Sequence, residues 1–202
     1  MSNRILLSGG SGLLASELKK HIQYYAPTSS EMDITKPITL EGEYDTIIHC
    51  AAYTDVAKAE TEKEKCYEVN VKGTENLINR YKDSYFVYIS SEYANHPLNF
   101  YSYTKQWAEE LVKKHPNHLI IRTLFKPYPF PFEYAFIDQF TNGDYVHVIA
   151  KLISREIFRG TNGCVHLGTG RKTMYQLAKM SRPDVKPNSV DDIKNVRIPK
   201  DY

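Results

Sequence analysis

Nothing in this 202-residue sequence approaches the roughly 18 consecutive apolar residues of a membrane-spanning helix. Its first eight residues carry one basic side chain and a short apolar run leading straight into glycines, so they do not read as a secretory signal. Cysteine is scarce. Cys50, Cys66 and Cys164 form an odd set without metal-type spacing, and read as reduced, buried thiols of a cytoplasmic protein. A strong charge of either sign is missing too: the formal net charge of +2 gives no argument for nucleic acid or a membrane surface. There is no internal repeat and no low-complexity tract. What remains, 42% hydrophobic and 25% charged residues, suits an ordinary globular chain of one compact domain, or one domain and a small appendage.

Apolar runs and helical periodicity alternate along the chain. Residues 4–8, 44–50, 85–90 and 118–122 read as buried strands, apolar almost throughout. Residues 13–24, 61–81 (in two pieces around Asn70) and 100–114 have helical periodicity. A weak second strand is expected within 26–33. Strands apolar on both faces and separated by helices predict an α/β fold with a doubly wound parallel sheet, covered on both sides. After Thr123 the pattern changes. The proline-rich run 126–132 cannot sit inside a helix or a central strand and reads as a loop or linker. Beyond it, residues 146–159 look helical, 164–167 extended and 172–180 helical, while the tail from Ser181 has no readable fold. We expect a nucleotide domain over 1–125 and a small substrate part over 126–202.

Ser8-Gly9-Gly10-Ser11-Gly12-Leu13-Leu14-Ala15 follows a strand and opens a helix. Gly9 can supply a tight turn, Gly12 a close backbone approach to a pyrophosphate, and Ala15 close helix–strand packing. Free N–H groups at the helix start, around Ser11, Leu13 and Leu14, favour phosphate. The cofactor expected is therefore a dinucleotide. Hydroxyls at Thr28, Ser29 and Ser30 can bond a 2′-phosphate, which points to NADPH, with NADH as the alternative because no arginine stands there. Asp33 is placed for the adenine.

The chemistry is concentrated in Ser90-Ser91 and Asn99-Phe-Tyr-Ser-Tyr-Thr-Lys105. Tyr101 and Lys105 are four residues apart, hence on one helix face. A lysine ammonium near a phenol is expected to lower the phenol pKa and make Tyr101 a usable acid. Ser91, at the carboxyl end of a strand, can bond a substrate carbonyl, and Lys105 can hold a cofactor ribose. Taken singly, each has a plain structural explanation: a strand-end cap, a helix-start aromatic, a solvated charge. Asn70 is a candidate kink or relay residue.

These strings resemble an extended short-chain dehydrogenase/reductase, and within that group the dTDP-4-dehydrorhamnose reductase family. The matching strings are Cys50-Ala-Ala-Tyr-Thr-Asp-Val-Ala-Lys-Ala-Glu60, Met32-Asp-Ile-Thr35, Val69-Asn70 with Gly73-Thr74, Ser90-Ser-Glu-Tyr93 and Tyr101-Ser-Tyr-Thr-Lys105, within residues 3–124. The resemblance implies a Rossmann-like fold with a small C-terminal substrate subdomain. It implies catalysis by Ser91, Tyr101 and Lys105. Cofactor contacts would come from Gly9, Ser11, Gly12, Leu13, Leu14, Ser29, Asp33, Ile34, Ala51, Ala52, Tyr53, Asn70, Tyr101 and Lys105, and substrate contacts from Ser91, Glu92 and Tyr93. No metal is implied. The implied reaction is reduction of a nucleotide-diphosphate 4-keto-6-deoxy sugar to the 4-hydroxy sugar, a glycan precursor. A bifunctional 3,5-epimerase/4-reductase is one alternative, with His49, Cys50 or Glu92 as its extra acid and base. A non-catalytic binding or regulatory subunit is another. The segment between Glu92 and Tyr101 and the part after 125 are short for the family. The substrate site is expected to be smaller or completed by a partner subunit, which leaves a homodimer open. Arg122 and the loop 126–132 could reach the substrate diphosphate; a buried ion pair and a rigid connector are the plainer expectations.

Overall fold

The computed structural model describes residues 3–201. Its centre is a five-stranded parallel sheet built from β1 (Ile5–Ser8), β2 (Thr46–His49), β3 (Tyr85–Ser91), β4 (His118–Thr123) and a late strand, Gly163–His166, in the order β1-β2-β3-β4-Gly163–His166. Side chains alternate between the two faces, as strand geometry requires. Leu7, Ile48, Val87, Leu119 and Ile121 pack on one side, and Leu6, Ile47, Phe86, Tyr88 and Ile120 on the other. Each face is covered by helices. The first carries α1 (Leu13–Leu18). The second carries Leu77, Ala108 and Val112 from the helices that follow β2 and β3.

The helical stretch after β2 consists of α2 (Lys63–Tyr67), a π-helical turn over Glu68–Lys72, and α3 (Gly73–Arg80). The π turn falls on Asn70, where the break was expected. The helix after β3 is α4 (Phe100–Val112); Asn99 and Ser102 close its N-terminus reciprocally in a capping box.

Four expectations are corrected. α1 covers six residues, not 13–24. No strand forms over 26–33. Only Tyr25 bridges Leu6, through Leu7 N to Tyr25 O at 2.8 Å and Tyr25 N to Ile5 O at 2.9 Å. Pro27 ends the pairing there, and the Glu31 carboxylate ties Thr28 N and Oγ1 into a local turn, each at 2.8 Å. The tail is not formless: Lys186–Asn188 pairs in parallel with Tyr134–Phe136.

The boundary expected at residue 125 is crossed. β5 (Phe125–Lys126), β6 (Tyr134–Phe136), β7 (Phe140–Thr141) and β8 (Asp144–Tyr145) lead into α5 (Val146–Phe158), whose Val146, Ile149, Ala150, Ile153 and Ile157 join the core of α1. Six-residue α1 leaves much of that sheet face bare, and α5 covers the rest. The chain then forms β9 (Gly163–His166), the fifth strand, then β10 (Lys172–Thr173), α6 (Met174–Lys179) and β11 (Lys186–Asn188). A separate cluster of Leu124, Phe130, Ala135, Tyr145, Met174, Leu177, Ala178 and Val185 holds the remainder. Phe130 anchors the proline-rich loop in it, and Phe130 N donates to Ser181 Oγ at 2.9 Å, so the loop is a fixed connector.

Candidate functional site

β1 and β2 run side by side, and the chain leaves them toward opposite edges of the sheet. Crevices of this kind, at the carboxyl ends of the strands, take ligands. The glycine turn sits there. Gly9 has φ +80°, and a Cβ on it would lie 2.6 Å from Ala51 N, so no other residue fits. Gly12 is the N-cap of α1; the first-turn N–H groups have no carbonyl one turn earlier to meet, and Gly12 has no side chain to cap them. Three neighbouring backbone donors and a glycine surface are the chemistry a pyrophosphate needs.

A buried chain of hydrogen bonds fixes the wall opposite. Thr74 Oγ1 donates to Asn70 O at 2.7 Å, so it accepts from His49 Nε2 at 3.0 Å. His49 Nδ1 then accepts from Ser8 Oγ at 2.7 Å. Burial, then the Lys105 charge, pushes the His49 pKa down to about 3, so the ring is neutral, as this arrangement requires. Asn70 extends the chain. Its Oδ1 accepts from Tyr53 N at 2.8 Å, and its Nδ2 donates to Tyr53 O at 3.2 Å and to Thr104 Oγ1 at 2.9 Å. Thr104 Oγ1 donates in turn to Tyr101 O at 2.7 Å. Asn70 thus ties the loop after β2 to the first turn of α4. The π turn sets its side chain between them.

Ser91, Tyr101 and Lys105 meet at the ends of β3 and α4. Lys105 is 2% exposed; its Nζ donates to Ile89 O at 2.8 Å and lies 4.3 Å from the Tyr88 ring centre. Burial is the main cause that brings its pKa down to about 7, with the Glu109 charge opposing. The expected lowering of the Tyr101 pKa is overturned. Burial raises it, and the Ser91 hydroxyl, as a hydrogen-bond partner, offsets only part of that rise. Tyr101 therefore holds its proton firmly. Ser90 plays a different part from Ser91: Ser90 Oγ donates to Glu109 Oε1 at 2.5 Å. Glu109, fully buried, is gripped by Arg122 through Nε at 2.9 Å and Nη2 at 2.5 Å. Arg122 is in an ion pair, the plainer of its two expected roles.

A cavity of about 1230 Å³ joins these parts. Gly9, Ser11, Gly12, Leu13, Leu14, Ser29, Asp33, Ile34, Ala51, Ala52, Ser91, Tyr93, Tyr101 and Lys105 all line it. Three expected contacts do not. Asn70 is buried behind the wall, whereas Tyr53 is held by its backbone N and O and its ring lies beside Lys65, 5.8 Å from the Nζ. Glu92 is 3% exposed, accepts from Thr141 Oγ1 at 2.6 Å and from Asn142 N at 3.2 Å, and ties β3 to the later chain. Sequence reasoning missed Val69, Thr123 and Phe125, which also line the cavity, and named Lys126 only as part of the loop 126–132. Lys126 opens the proline-rich loop that stood out in the sequence, but a lysine there carries no local sign of burial. No group of three or more His, Cys, Asp or Glu among the described residues could hold a metal ion, and no helix among them is long and apolar enough to cross a membrane.

Residues 3–154 match a family described as the RmlD substrate binding domain. The dTDP-4-dehydrorhamnose reductase of Mycolicibacterium smegmatis is 31% identical over 149 residues, which cover 61% of this chain and 46% of that protein. That of Aggregatibacter actinomycetemcomitans is 28% identical over 187 residues, 78% of this chain and 64% of its own length. The chain thus spans about half to two thirds of these curated relatives. The solved dTDP-4-dehydrorhamnose reductase of Bacillus anthracis, in complex with NADP, superposes with a TM-score of 0.84 at 26% identity, covering 100% of this chain and 89% of that one. A Clostridium acetobutylicum structure of the same name reaches 0.85 at 22% identity over 98% and 88%, a likeness of fold.

Proposed function

Because the chain belongs to the RmlD substrate binding domain family, we propose that it is an NADPH-dependent reductase of a nucleotide-diphosphate 4-keto-6-deoxy sugar. The observation that carries this reading is the convergence of Ser91, Tyr101 and Lys105 on one cavity with the glycine turn. Solved relatives of this fold carry NADP or NADPH.

The turn residues Gly9 to Leu14 would hold the pyrophosphate by backbone N–H groups, and Ser29 and Asp33 the adenosine end. When bound, the dinucleotide supplies the hydride. Ser91 Oγ–H donates a hydrogen bond to the C4 carbonyl oxygen of the sugar. Negative charge builds on that oxygen during reduction, and the Tyr101 phenol transfers its proton to it, completing the alcohol. The raised phenol pKa keeps the proton in place until then. Lys105, poised near neutrality, would bind the ribose hydroxyls of the dinucleotide. Epimerisation at neighbouring carbons is no part of the proposal. His49 is neutral with both nitrogens engaged, the Cys50 thiol is pushed up to about 12 by burial, and Glu92 faces Thr141.

The test is NADPH oxidation against a panel of nucleotide-linked 4-keto-6-deoxy sugars, with NADH in parallel. Turnover is expected for at least one sugar. Tyr101→Phe should lower kcat about 10²–10⁴-fold while NADPH affinity stays within about twofold. Tight NADPH binding without turnover on any sugar would leave a binding subunit and defeat the reductase.

A further inference from the structure

The cavity wall carries three cationic side chains, Lys19, Lys105 and Lys126, against one carboxylate, Asp33. Asp33 is occupied by Thr35 N and Oγ1, at 3.0 and 2.7 Å, and by Lys36 at 3.3 Å. Lys105 is committed to Ile89 O. Lys19 caps α1 and is exposed. Lys126 is different. Thr123, the strand neighbour of Ser91, stands three residues before it, so at most about 10 Å of backbone separates the two. The β5–β8 pair fixes its backbone opposite Tyr145. Its Nζ lies 5.6 Å from the Phe132 ring centre. No carboxylate among the described residues pairs with it, and burial is the one influence on its charge, although solvent still reaches it in part. A contrast is Lys172, whose Nζ donates to Gly143 O, Thr169 Oγ1 and Gly170 O. Burial also holds the Lys126 pKa below the ordinary lysine value. A fixed, half-buried cation without an anion is costly, and an anion entering the cavity relieves that cost.

We propose that Lys126 is an oxyanion-binding residue of this cavity that contacts a phosphate of a diphosphate group. The choice of a diphosphate rests on the proposed function; the need of Lys126 for an anion does not. Two sources share this chemistry: the pyrophosphate of the dinucleotide and the diphosphate of the sugar nucleotide. Titrating Lys126→Met and Lys126→Arg with NADPH and, separately, with thymidine diphosphate separates them. Lys126→Met should weaken one of the two about tenfold, and Lys126→Arg should restore it to within about threefold. A loss confined to NADPH assigns the cofactor pyrophosphate, and a loss on thymidine diphosphate assigns the substrate. Both affinities within twofold of wild type overturn the proposal. So does a Lys126→Met protein that melts far below wild type, because it marks Lys126 as a structural prop. These are binding measurements. A wild type that binds both probes but reduces no keto sugar sinks the reductase and leaves Lys126 standing; active enzyme indifferent to Lys126 does the reverse.

Discussion

Replacing Glu109 by Gln tests the polar frame behind the catalytic residues. The carboxylate accepts four bonds: Arg122 Nε to both oxygens at 2.9 and 3.1 Å, Arg122 Nη2 at 2.5 Å, and Ser90 Oγ at 2.5 Å. Glu109 is fully buried, and the Arg122 side chain is 15% exposed. A glutamine fits the space, but its NH₂ faces guanidinium N–H groups, donor against donor, and the guanidinium loses its counter-charge. Breaking a buried pair in this way costs about 3–5 kcal/mol. Arg122 keeps Asn95 Oδ1 at 2.8 Å and some solvent, which places the loss near 3 kcal/mol. For a chain of this size that is a fall in Tm of about 6–12 °C. Thermal and urea denaturation of both proteins measure it. The change also removes the charge that most opposes burial at Lys105, so the lysine pKa drops further and the alkaline limb of the kcat profile moves to lower pH. KM for the sugar nucleotide should stay within about twofold, because Arg122 does not line the cavity. A stability loss under 1 kcal/mol, or a KM raised tenfold, would refute this picture of Arg122 and Glu109.

Stability should also rise with pH through the neutral range. Lys105 has a folded pKa of about 7 against an ordinary 10.5, so above pH 7 the unfolded chain binds a proton that the native state does not, and stability climbs. Between pH 6.5 and 8.5 the gain is roughly 2 kcal/mol, and Lys105→Met should remove most of it in urea titrations. The lowered His49 pKa adds to the rise only at the acid edge of this window and the raised Cys50 pKa subtracts only at its alkaline edge, each by about 0.5 kcal/mol or less, so a flat wild-type curve over this window contradicts the burial of Lys105. Two glycines with positive φ form a matched pair. Gly160→Ala, with open space around the added methyl, should cost about 1 kcal/mol, whereas Gly9→Ala, driven against Ala51, should cost at least about 2 kcal/mol and weaken NADPH binding tenfold or more. Equal costs for the two would remove the case for a tight phosphate turn.

What could be read in the sequence, and what could not, divides by the range of the interactions. β3 and β4 announce themselves because Phe86 to Ile89 and Leu119 to Ile121 are apolar at every step, and only a sheet covered on both faces asks for that. The break at Asn70 was legible for a similar local reason. The Tyr101–Lys105 face followed from helical spacing, yet the direction of the Tyr101 shift did not: a spacing reveals the neighbour and is silent on burial, and burial is the larger effect. Glu92 illustrates the same limit. It stands in a run that looks substrate-facing, but its partner is Thr141, which lies 49 residues further on. The strand read at 164–167, which the structure places at Gly163–His166, was visible as an element and invisible as the fifth member of the sheet, since its place depends on how little of the sheet α1 covers.

This last point bears on how so small a C-terminal part can complete a cavity. Its own apolar cluster contains eight buried residues, too few to position a site unaided. Three polar clamps supplement it. Glu92 holds Thr141 and Asn142 at the end of β3. Asp144 accepts from Tyr145 N at 2.7 Å and from Thr169 Oγ1, which ties β8 to the chain after β9. Asp138 accepts from Ser189 Oγ at 2.7 Å and from Val190 N at 2.9 Å, and this anchors the tail. Each clamp is an acid with at least one partner from a distant stretch of chain, so register is set by direction-specific bonds where apolar area is short. The cavity wall at Phe125 and Lys126 inherits its position from the second of these clamps, through the β5–β8 pair. Loosening Asp144 should therefore move Lys126 without touching Ser91, Tyr101 or Lys105, and Asp144→Asn should weaken diphosphate binding more than it lowers kcat. The opposite ranking would mean that the two sides of the cavity are not separately held.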